Sequence, residues 1–233
     1  MNKLHMSFIR TIIAVLLLVA VIVPATVTAQ TTKDPVIFVH GWVAGYGLTP
    51  WGTIKNNLIR DGWSANRLYE IYYSDPIWAS NVENARELAA FVDRVLRETG
   101  ATKVDLVCHS MGGLSARYYI KFLGGVNKVD DYVALGTPQH GTIYASLGAI
   151  LTIGSAGATE MTPGSLFLLR LNAGDETPGA VSYFSFGSYT DELVQPWRTI
   201  ALDGATNRWV SGVSHTGLLS NPTIYQWVKA ALS

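Results

Sequence analysis

The sequence predicts an α/β fold built on a mostly parallel sheet with helices on both of its faces. Short apolar, β-branched runs alternate along the chain with longer segments whose apolar residues recur at spacings of three and four. Continuous apolar runs are typical of strands buried on both faces, and a helix is the usual crossover between two parallel strands. We therefore expect ligands at the carboxyl ends of the strands, where open parallel sheets bind them.

The first 29 residues predict a secretory signal peptide. Lys3 and Arg10 precede an almost unbroken aliphatic run over residues 11–23, and Val27-Thr28-Ala29 offers a small-residue cleavage site. The apolar core of about 13 residues is shorter than the roughly 20 that span a bilayer. We expect cleavage after Ala29 and secretion, with an uncleaved membrane anchor as the alternative.

Cleavage would leave residues 30–233, which are 204 residues and enough for a single catalytic domain. Because the leader holds two of the 17 basic residues and none of the 17 acidic ones, the net charge becomes −2 with neutral histidines. No basic field for nucleic acid remains. Cys108 is the only cysteine, so an intrachain disulfide is excluded. We expect a monomer without metal or cofactor, since no calcium-loop ligand run is present, although calcium dependence stays open.

The elements follow the chain in alternation. The predicted strands cover residues 36–39, 68–73, a run through Val104 and Val107, 132–135, 181–186 and 208–213. A first helix is capped by Thr49, has Pro50 in its first turn and closes near Asp61. Further helices run from Asn81 to a stop at Gly100, from 111 to about 123, and from about 222 to 232.

The regular alternation breaks between residues 139 and 179. Glycines and small residues there surround a series of apolar positions that includes Ile143, Tyr144 and Leu166. Such an insertion can act as a lid that opens on a lipid surface, or as a fixed wall of an acyl pocket. Ordinary core helix is the third interpretation, because an apolar run alone does not separate buried from interface-seeking sequence. Of these we predict a mobile apolar cover.

Ser110 is the candidate nucleophile. It follows a buried strand, is followed at once by a helical pattern, and has Gly112 and Gly113 on one side, which is the outline of a nucleophile elbow. Cys108 stands where such elbows usually have a glycine, and a small residue satisfies the packing there. Cys108 as the nucleophile is the weaker hypothesis, because it would lie within a buried strand.

Serine needs a base within hydrogen-bond reach and an acid that orients the base. Four histidines remain after the leader. His109 should face away from its neighbour Ser110, and His40 precedes the nucleophile in a loop suited to an oxyanion. His215 lies between the last strand and the last helix, which fits the chain order serine, acid, histidine.

Asp191 is the first carboxylate after the strand 181–186 and is the predicted acid, with Glu192 as its rival. Its role would be to fix the tautomer of His215 and to stabilise the imidazolium. A developing oxyanion needs preorganised donors, for which we expect the backbone N–H groups of Met111 and Trp42.

The motifs at the predicted strand ends form a set: Val39-His40-Gly41-Trp42, Cys108-His109-Ser110-Met111-Gly112-Gly113, Leu135-Gly136-Thr137-Pro138, His140-Gly141-Thr142, Asp191-Glu192-Leu193-Val194 and His215-Thr216-Gly217-Leu218-Leu219. With these motifs the chain resembles the secreted bacterial lipases of the α/β-hydrolase superfamily, and most closely the small class 2 and Bacillus-type lipases. The Bacillus-type enzymes resemble it in lacking the first glycine of the elbow.

The resemblance implies hydrolysis of lipid esters such as triacylglycerols through an acyl-enzyme, with Ser110, Asp191 and His215 as the triad. It implies the N–H groups of Trp42 and Met111 as the oxyanion hole and a lipid ester, met at a lipid–water interface, as the partner. Three alternatives stay open: an esterase of short soluble esters, an acyltransferase or thioesterase with the same triad, and a non-catalytic binding domain on the same fold.

Overall fold

A parallel sheet of six strands forms the centre of the part of the chain that the structure describes. The structure is a computed structural model and describes residues 33–42, 50–146, 148 and 154–232, so the predicted signal peptide lies outside the described residues. The spatial order of the strands is β2-β1-β3-β4-β5-β6, and every neighbouring pair is parallel. The strands are β1 (Val36–Val39), β2 (Leu68–Ile71), β3 (Val104–His109), β4 (Val129–Leu135), β5 (Ser182–Ser188) and β6 (Thr206–Val210).

Helices cover the sheet on both faces, which confirms the predicted α/β class. Their bounds are α1 (Gly52–Arg60), α2 (Asn81–Thr99), α3 (Gly112–Phe122), α4 (Ala156–Glu160), α5 (Leu166–Asn172) and α6 (Pro222–Ala231). One buried cluster packs α2 and α3 against the sheet, and a second packs α1 and α6 against the opposite face. Short 3-10 turns lie at Ala65–Arg67, Gly125–Asn127, Trp197–Ile200 and Thr216–Leu219.

The best predicted helix, α2, has both of its ends fixed by local chemistry. Ser80 accepts a hydrogen bond from the backbone N–H of Glu83, and the Glu83 carboxylate accepts one from the N–H of Ser80, which is a capping box. Gly100 ends the helix in the left-handed conformation, with φ of 68°. The predicted start at Asn81 and stop at Gly100 are both confirmed.

The predicted start of helix α1 and the predicted end of strand β2 are wrong. The helix α1 begins at Gly52 with Trp51 as its N-cap, so Pro50 precedes the helix, and Thr49 lies outside the described residues. The strand β2 ends at Ile71, opposite the last residue of its neighbour β1, and beyond it the N–H of Tyr73 donates to the ring of His40 at 3.3 Å.

The last strand is also shifted from its prediction. We predicted it over residues 208–213, whereas β6 runs from Thr206 to Val210 and pairs with β5 throughout. Gly212 adopts φ of 72°, a turn conformation that a strand cannot continue through. The chain therefore leaves the sheet before His215.

The insertion over residues 139–179 contains α4 and α5. Ser155 and Ser165 cap these helices through hydrogen bonds to the N–H groups of Ala158 and Leu168. The apolar residues of α5 divide between two faces: Leu168 is buried, whereas Leu166 is 86% exposed. Residues 147 and 149–153 lie outside the described residues, and the lid stays a prediction. Among the described residues, no helix has the length and apolar character needed to cross a membrane.

Candidate active site

Ser110 occupies a sharp turn between β3 and α3, as the sequence predicts. Its φ of 53° lies in the left-handed region, and among the described residues it is the one non-glycine residue with positive φ. A serine in that region is strained and persists only where the surroundings enforce it. The next helix approaches closely because Gly112 lacks a side chain: a Cβ there would overlap the carbonyl oxygen of His40. The turn therefore presents the hydroxyl at the carboxyl end of the sheet.

Cys108 lies within β3, two residues before the turn, and is completely buried. Burial raises the pKa of its thiol well above the ordinary value, which disfavours the thiolate. Its side chain packs in the cluster beneath α2 and α3. The prediction that it fills space at the strand end is consistent with this environment.

Asp191 and His215 form a buried hydrogen-bonded pair. The Oδ2 atom of Asp191 lies 2.8 Å from Nδ1 of His215, and their side chains are 1% and 4% exposed. The other oxygen, Oδ1, accepts the N–H groups of Leu193 and Val194, both at 2.9 Å. Burial raises the pKa of Asp191, but the hydrogen bond and charge of His215, with these two N–H donors, outweigh it and hold the pKa below its usual value. The carboxylate is thus ionised and fixed in orientation.

Glu192, the rival acid, also contacts His215, but at a different atom. Its Oε2 accepts the backbone N–H of His215 at 2.9 Å, while the imidazole is bonded to Asp191. The two adjacent carboxylates therefore do different things: one orients the ring and the other holds the peptide.

His109 is the residue whose orientation was predicted wrongly. We expected its side chain to face away from Ser110, yet both residues line the same cavity. The ring of His109 lies 4.6 Å from that of His215, measured between centroids, and its Nε2 is 3.1 Å from the carbonyl oxygen of His215. The alternation of side chains holds within a strand, and Ser110 lies beyond the last residue of β3 in a left-handed turn.

Of the two predicted oxyanion donors, Trp42 lines the cavity and follows Gly41, and Met111 is buried and is the residue directly after Ser110. Among the described residues, neither backbone N–H donates a hydrogen bond to another protein group. The indole of Trp42 donates to the carbonyl oxygen of Ile77 at 3.0 Å, which fixes the side chain of this loop. Within the described residues, both N–H groups are therefore without a protein acceptor.

The cavity at the carboxyl end of the sheet has a volume of about 310 Å³. Ser110 and His215 lie on its wall, and most of its lining is apolar, for example Ala145, Met161 and Leu219. The structure contains no hydrogen bond between Ser110 and the ring of His215 within the described residues. Such bonds are often formed only when substrate is bound. The arrangement can attack a carbonyl group whose apolar substituent fills the cavity.

Two further histidines, His40 and His140, make contacts outside the triad. His40 is buried, its Nδ1 is 2.8 Å from the carbonyl oxygen of Gly41, and burial lowers its pKa. His140 pairs with Glu176 at 3.0 Å. These contacts stabilise the loops around the cavity.

Three carboxylates gather at the opposite end of the sheet from the cavity. One oxygen each of Asp34, Asp105 and Asp130 lies within 4.8 Å of the others, which is compatible with a cation. Lys103 already provides a positive charge there, because its ammonium lies 2.5 Å from Asp130. We assign no ion to this cluster.

Comparison with known proteins shows what the chain is similar to. The profile of the family described as Lipase (class 2) matches residues 33–227. A triacylglycerol lipase of Burkholderia plantarii is 33% identical over 135 residues, which are 52% of this chain and 35% of that protein. A triacylglycerol lipase of Vibrio cholerae is 30% identical over 152 residues, 57% of this chain and 46% of that protein. The chain thus matches less than half of the length of these relatives.

Solved structures share the fold. The mature form of a Bacillus licheniformis lipase has a TM-score of 0.73 at 19% identity, and the match covers 87% of this chain and 93% of that one. Lipase B of Aspergillus fumigatus has a TM-score of 0.70 at 20% identity, covering 87% of this chain and 53% of that one. At such identities the likeness shows the fold alone, and it confirms the predicted α/β-hydrolase architecture.

Proposed function

The chain belongs to the class 2 lipase family, and from this membership we propose that it hydrolyses carboxylic esters of lipids, triacylglycerols among them, through an acyl-enzyme on Ser110. The relatives that carry the name triacylglycerol lipase support the substrate class. The single observation that carries the chemistry is the buried pair of Asp191 and His215, at 2.8 Å, on the cavity that Ser110 lines. A nucleophile, a base and an acid that orients the base are the parts that ester hydrolysis requires.

In the first half of the reaction, Oγ of Ser110 attacks the ester carbonyl carbon while Nε2 of His215 takes the hydroxyl proton. Asp191 holds Nδ1 and stabilises the imidazolium that forms. The oxygen of the tetrahedral intermediate accepts hydrogen bonds from the N–H groups of Trp42 and Met111. The carbon–oxygen bond to the alcohol then breaks, and His215 returns the proton to the leaving alcohol.

In the second half, water replaces the alcohol. His215 takes a proton from water, whose oxygen attacks the acyl carbon, and the same two N–H groups bind the new oxyanion. When the intermediate collapses, the fatty acid leaves and Ser110 regains its proton from His215. Each transferred proton is taken up and given back by Nε2 of His215. The enzyme is therefore regenerated, and the net reaction consumes only ester and water.

The cavity supports a lipid ester over a small polar one. Its lining is largely apolar, and two of its residues, Tyr144 and Leu193, are 45% and 50% exposed, so apolar surface continues from the cavity toward solvent. Apolar area of this kind favours an acyl chain by about 25 cal/mol per Å² removed from water. A short soluble ester would leave much of the cavity unfilled, and we therefore rank the esterase alternative second.

We propose that the segment 139–179 is a mobile cover of the cavity and that the protein is secreted after cleavage at Ala29. If the segment is a mobile cover, the rate should rise when a substrate passes from monomers to an emulsion, and an unchanged rate would refute it.

If the protein is secreted after cleavage, N-terminal sequencing of protein from the culture medium should start at Gln30. Recovery of the intact chain with the membrane fraction would instead support the anchor.

The experiment that tests the proposed function combines a covalent probe with substrates of graded length. A fluorophosphonate should label the wild type and not Ser110→Ala, and hydrolysis of p-nitrophenyl esters should disappear in the same variant. Ser64→Ala is the matched control, because Ser64 is exposed and precedes the amino end of β2. Labelling that persists in Ser110→Ala would identify a different nucleophile. An unlabelled and inactive wild type would favour the non-catalytic alternative.

A further inference from the structure

The peptide backbone of His215 is held from both sides by two side chains that the proposed reaction does not use. Its N–H donates to Oε2 of Glu192 at 2.9 Å, and its carbonyl oxygen accepts from Nε2 of His109 at 3.1 Å. Glu192 directly follows the acid Asp191, and His109 directly precedes the nucleophile Ser110. Each bond therefore connects the base to an immediate neighbour of another triad member.

His215 needs such bonds because regular secondary structure does not hold it. The strand β6 ends at Val210, and the residues between it and the 3-10 turn Thr216–Leu219 form an irregular loop with a left-handed Gly212. Backbone in a loop has more freedom than backbone in a sheet. A displacement of about 1 Å of a reacting group can cost on the order of 10²-fold in rate, so the peptide must be fixed by other contacts.

His109 is the donor in its hydrogen bond with the carbonyl oxygen of His215. A carbonyl oxygen only accepts, so Nε2 of His109 carries the hydrogen. Burial, with the adjacent His215, lowers the pKa of His109 to about 3, and the ring is therefore neutral with an unprotonated Nδ1. A neutral ring places no second positive charge beside the imidazolium that forms on His215, and like charges at this distance would oppose it.

His109 also contacts the catalytic ring itself. The two imidazole planes are tilted by 42° at 4.6 Å between centroids, so His109 supports one side of the ring while Asp191 binds its Nδ1. Gly136 lies close to the same pair: a Cβ there would stand 3.2 Å from both Asp191 Oδ2 and His215 Cε1. The ring therefore has little space in which to turn.

We propose that His109 and Glu192 are positioning residues for ester hydrolysis, which together hold the backbone of His215 so that its ring stays between Asp191 and Ser110. The inference rests on the proposed function. Neither residue touches the reacting atoms in this assignment. Their removal should lower kcat by a larger factor than it changes KM, because neither bond is made to the substrate.

The variants at position 109 distinguish the loss of a hydrogen-bond donor from a change in side-chain volume. His109→Phe keeps a ring but loses the donor, and we expect kcat to fall about tenfold to a hundredfold. His109→Gln can place an amide N–H near the position of Nε2 and should restore most of kcat. His109→Asn has the same chemistry with a shorter reach and should not. A residue that only fills the core would give the opposite order, with Phe the mildest change.

The variants at position 192 distinguish the loss of a hydrogen-bond acceptor from the loss of a negative charge. Glu192→Gln keeps an acceptor oxygen and should stay within about threefold of the wild type, whereas Glu192→Ala should lower kcat about tenfold. Glu192 is exposed, so both proteins are expected to fold, and they keep the inference testable if His109→Phe does not. Equal rates for Glu192→Ala and the wild type would overturn the role of Glu192.

The closing experiment measures kcat and KM on a soluble p-nitrophenyl ester, the rate of fluorophosphonate labelling, and the melting temperature for all five variants. The inference predicts lower kcat and slower labelling for the Phe, Asn and Ala variants, with rescue by the two Gln variants. If the wild type is labelled and active but these variants match it, the positioning inference fails while the proposed function stands. A wild type without Ser110 labelling or activity would mean that the proposed function itself has failed.

Discussion

Gly41 directly borders Ser110: a Cβ atom on Gly41 would lie 2.7 Å from Ser110 Cβ and 3.4 Å from its Oγ. The loop after β1 and the turn after β3 meet here because the two strands are neighbours in the sheet. The N–H of Trp42, the residue after Gly41, is therefore kept next to the nucleophile by the absence of a single side chain. This contact links the proposed oxyanion donor to the serine it would serve.

The substitution Gly41→Ala should lower kcat/KM about 10²-fold. The added methyl group cannot coexist with Ser110 at 2.7 Å, so either the serine or the loop carrying Trp42 must move, and a lost oxyanion donor costs about that much. Steady-state kinetics on a soluble ester would measure the loss. Gly52→Ala is the control, because a Cβ at Gly52 meets nothing within 4 Å. Unchanged kinetics for Gly41→Ala would contradict the assignment of this loop.

Patterns that depend on local chemistry are the ones that the sequence predicts well. The buried strand β1, the capped helix α2 and the elbow at Ser110 each have a local signature in the sequence. The chain order of serine, acid and histidine then selects Asp191 and His215, and the structure joins these two at 2.8 Å. The site residues stay predictions, and the bond between Asp191 and His215 is the part of the predicted triad geometry that the structure contains.

Features that depend on distant partners are not predictable in this way. His109 was placed facing away because side chains alternate along a strand, but the left-handed turn at Ser110 ends that alternation. Glu192 and Asp191 are adjacent carboxylates, and only the three-dimensional contacts assign one to the peptide and the other to the ring of His215. Beyond the end of β2, the N–H of Tyr73 donates to the ring of His40, which lies 33 residues away in the chain.

The substitution Asp191→Asn should lower kcat about 10⁴-fold while the protein remains folded. The N–H groups of Leu193 and Val194 would keep an oxygen of the amide in the place of Oδ1, so the NH₂ group would face Nδ1 of His215. The ring would then carry its hydrogen on Nε2 and could not accept the proton of Ser110, which has an effect of that size in serine proteases.

The comparison for Asp191→Asn is Glu192→Gln, which makes the same change of charge one residue later and should retain most activity. Single-turnover kinetics with an activated ester would separate the acylation step from product release. Comparable losses in the two variants would mean that the assignment of Asp191 as the acid is wrong.

The substitution Leu193→Trp should shift the substrate preference toward esters with shorter acyl chains. Leu193 lines the cavity and is 50% exposed, so a larger side chain at this position narrows the entrance without overpacking the core. We expect kcat/KM for a long-chain ester to fall about tenfold more than for an acetate ester, since a pocket discriminates by that amount for small steric changes. Leu169→Trp, at a 60% exposed position of α5, is the control. An equal loss for all chain lengths would place Leu193 outside the acyl path.

Asp105 lies at the amino end of β3, far from the cavity, and is 4% exposed. Burial, together with the negative charges of Asp131, Asp34 and Asp130, raises the pKa of its carboxyl to about 8. Its Oδ1 is buried and, within the described residues, accepts no hydrogen bond. The positive charges nearby belong to Lys103, which pairs with Asp130, and to Arg67. An ionised Asp105 is therefore poorly compensated in the folded state.

This environment makes the free energy of unfolding depend on pH. The unfolded chain releases the proton of Asp105 near pH 4, whereas the folded protein keeps it until about pH 8. Between these values the folded state binds more protons than the unfolded state, so stability falls as pH rises, by at most about 1.4 kcal/mol per unit. Asp131, whose pKa burial raises to about 6, adds a contribution of the same sign over a narrower range.

The substitution Asp105→Asn should remove most of this dependence. The amide has nearly the same shape and does not ionise, so the variant should gain stability relative to the wild type as pH rises from 5 to 8. Urea unfolding across that range would measure the difference, with Asp203→Asn, at an exposed position, as the control for the change of charge. If the stability curves of Asp105→Asn and the wild type run parallel, then Asp105 is not the group that holds its proton. In that case charges or hydrogen bonds at the amino end of the sheet would stabilise the ionised carboxylate and keep its pKa near the ordinary value.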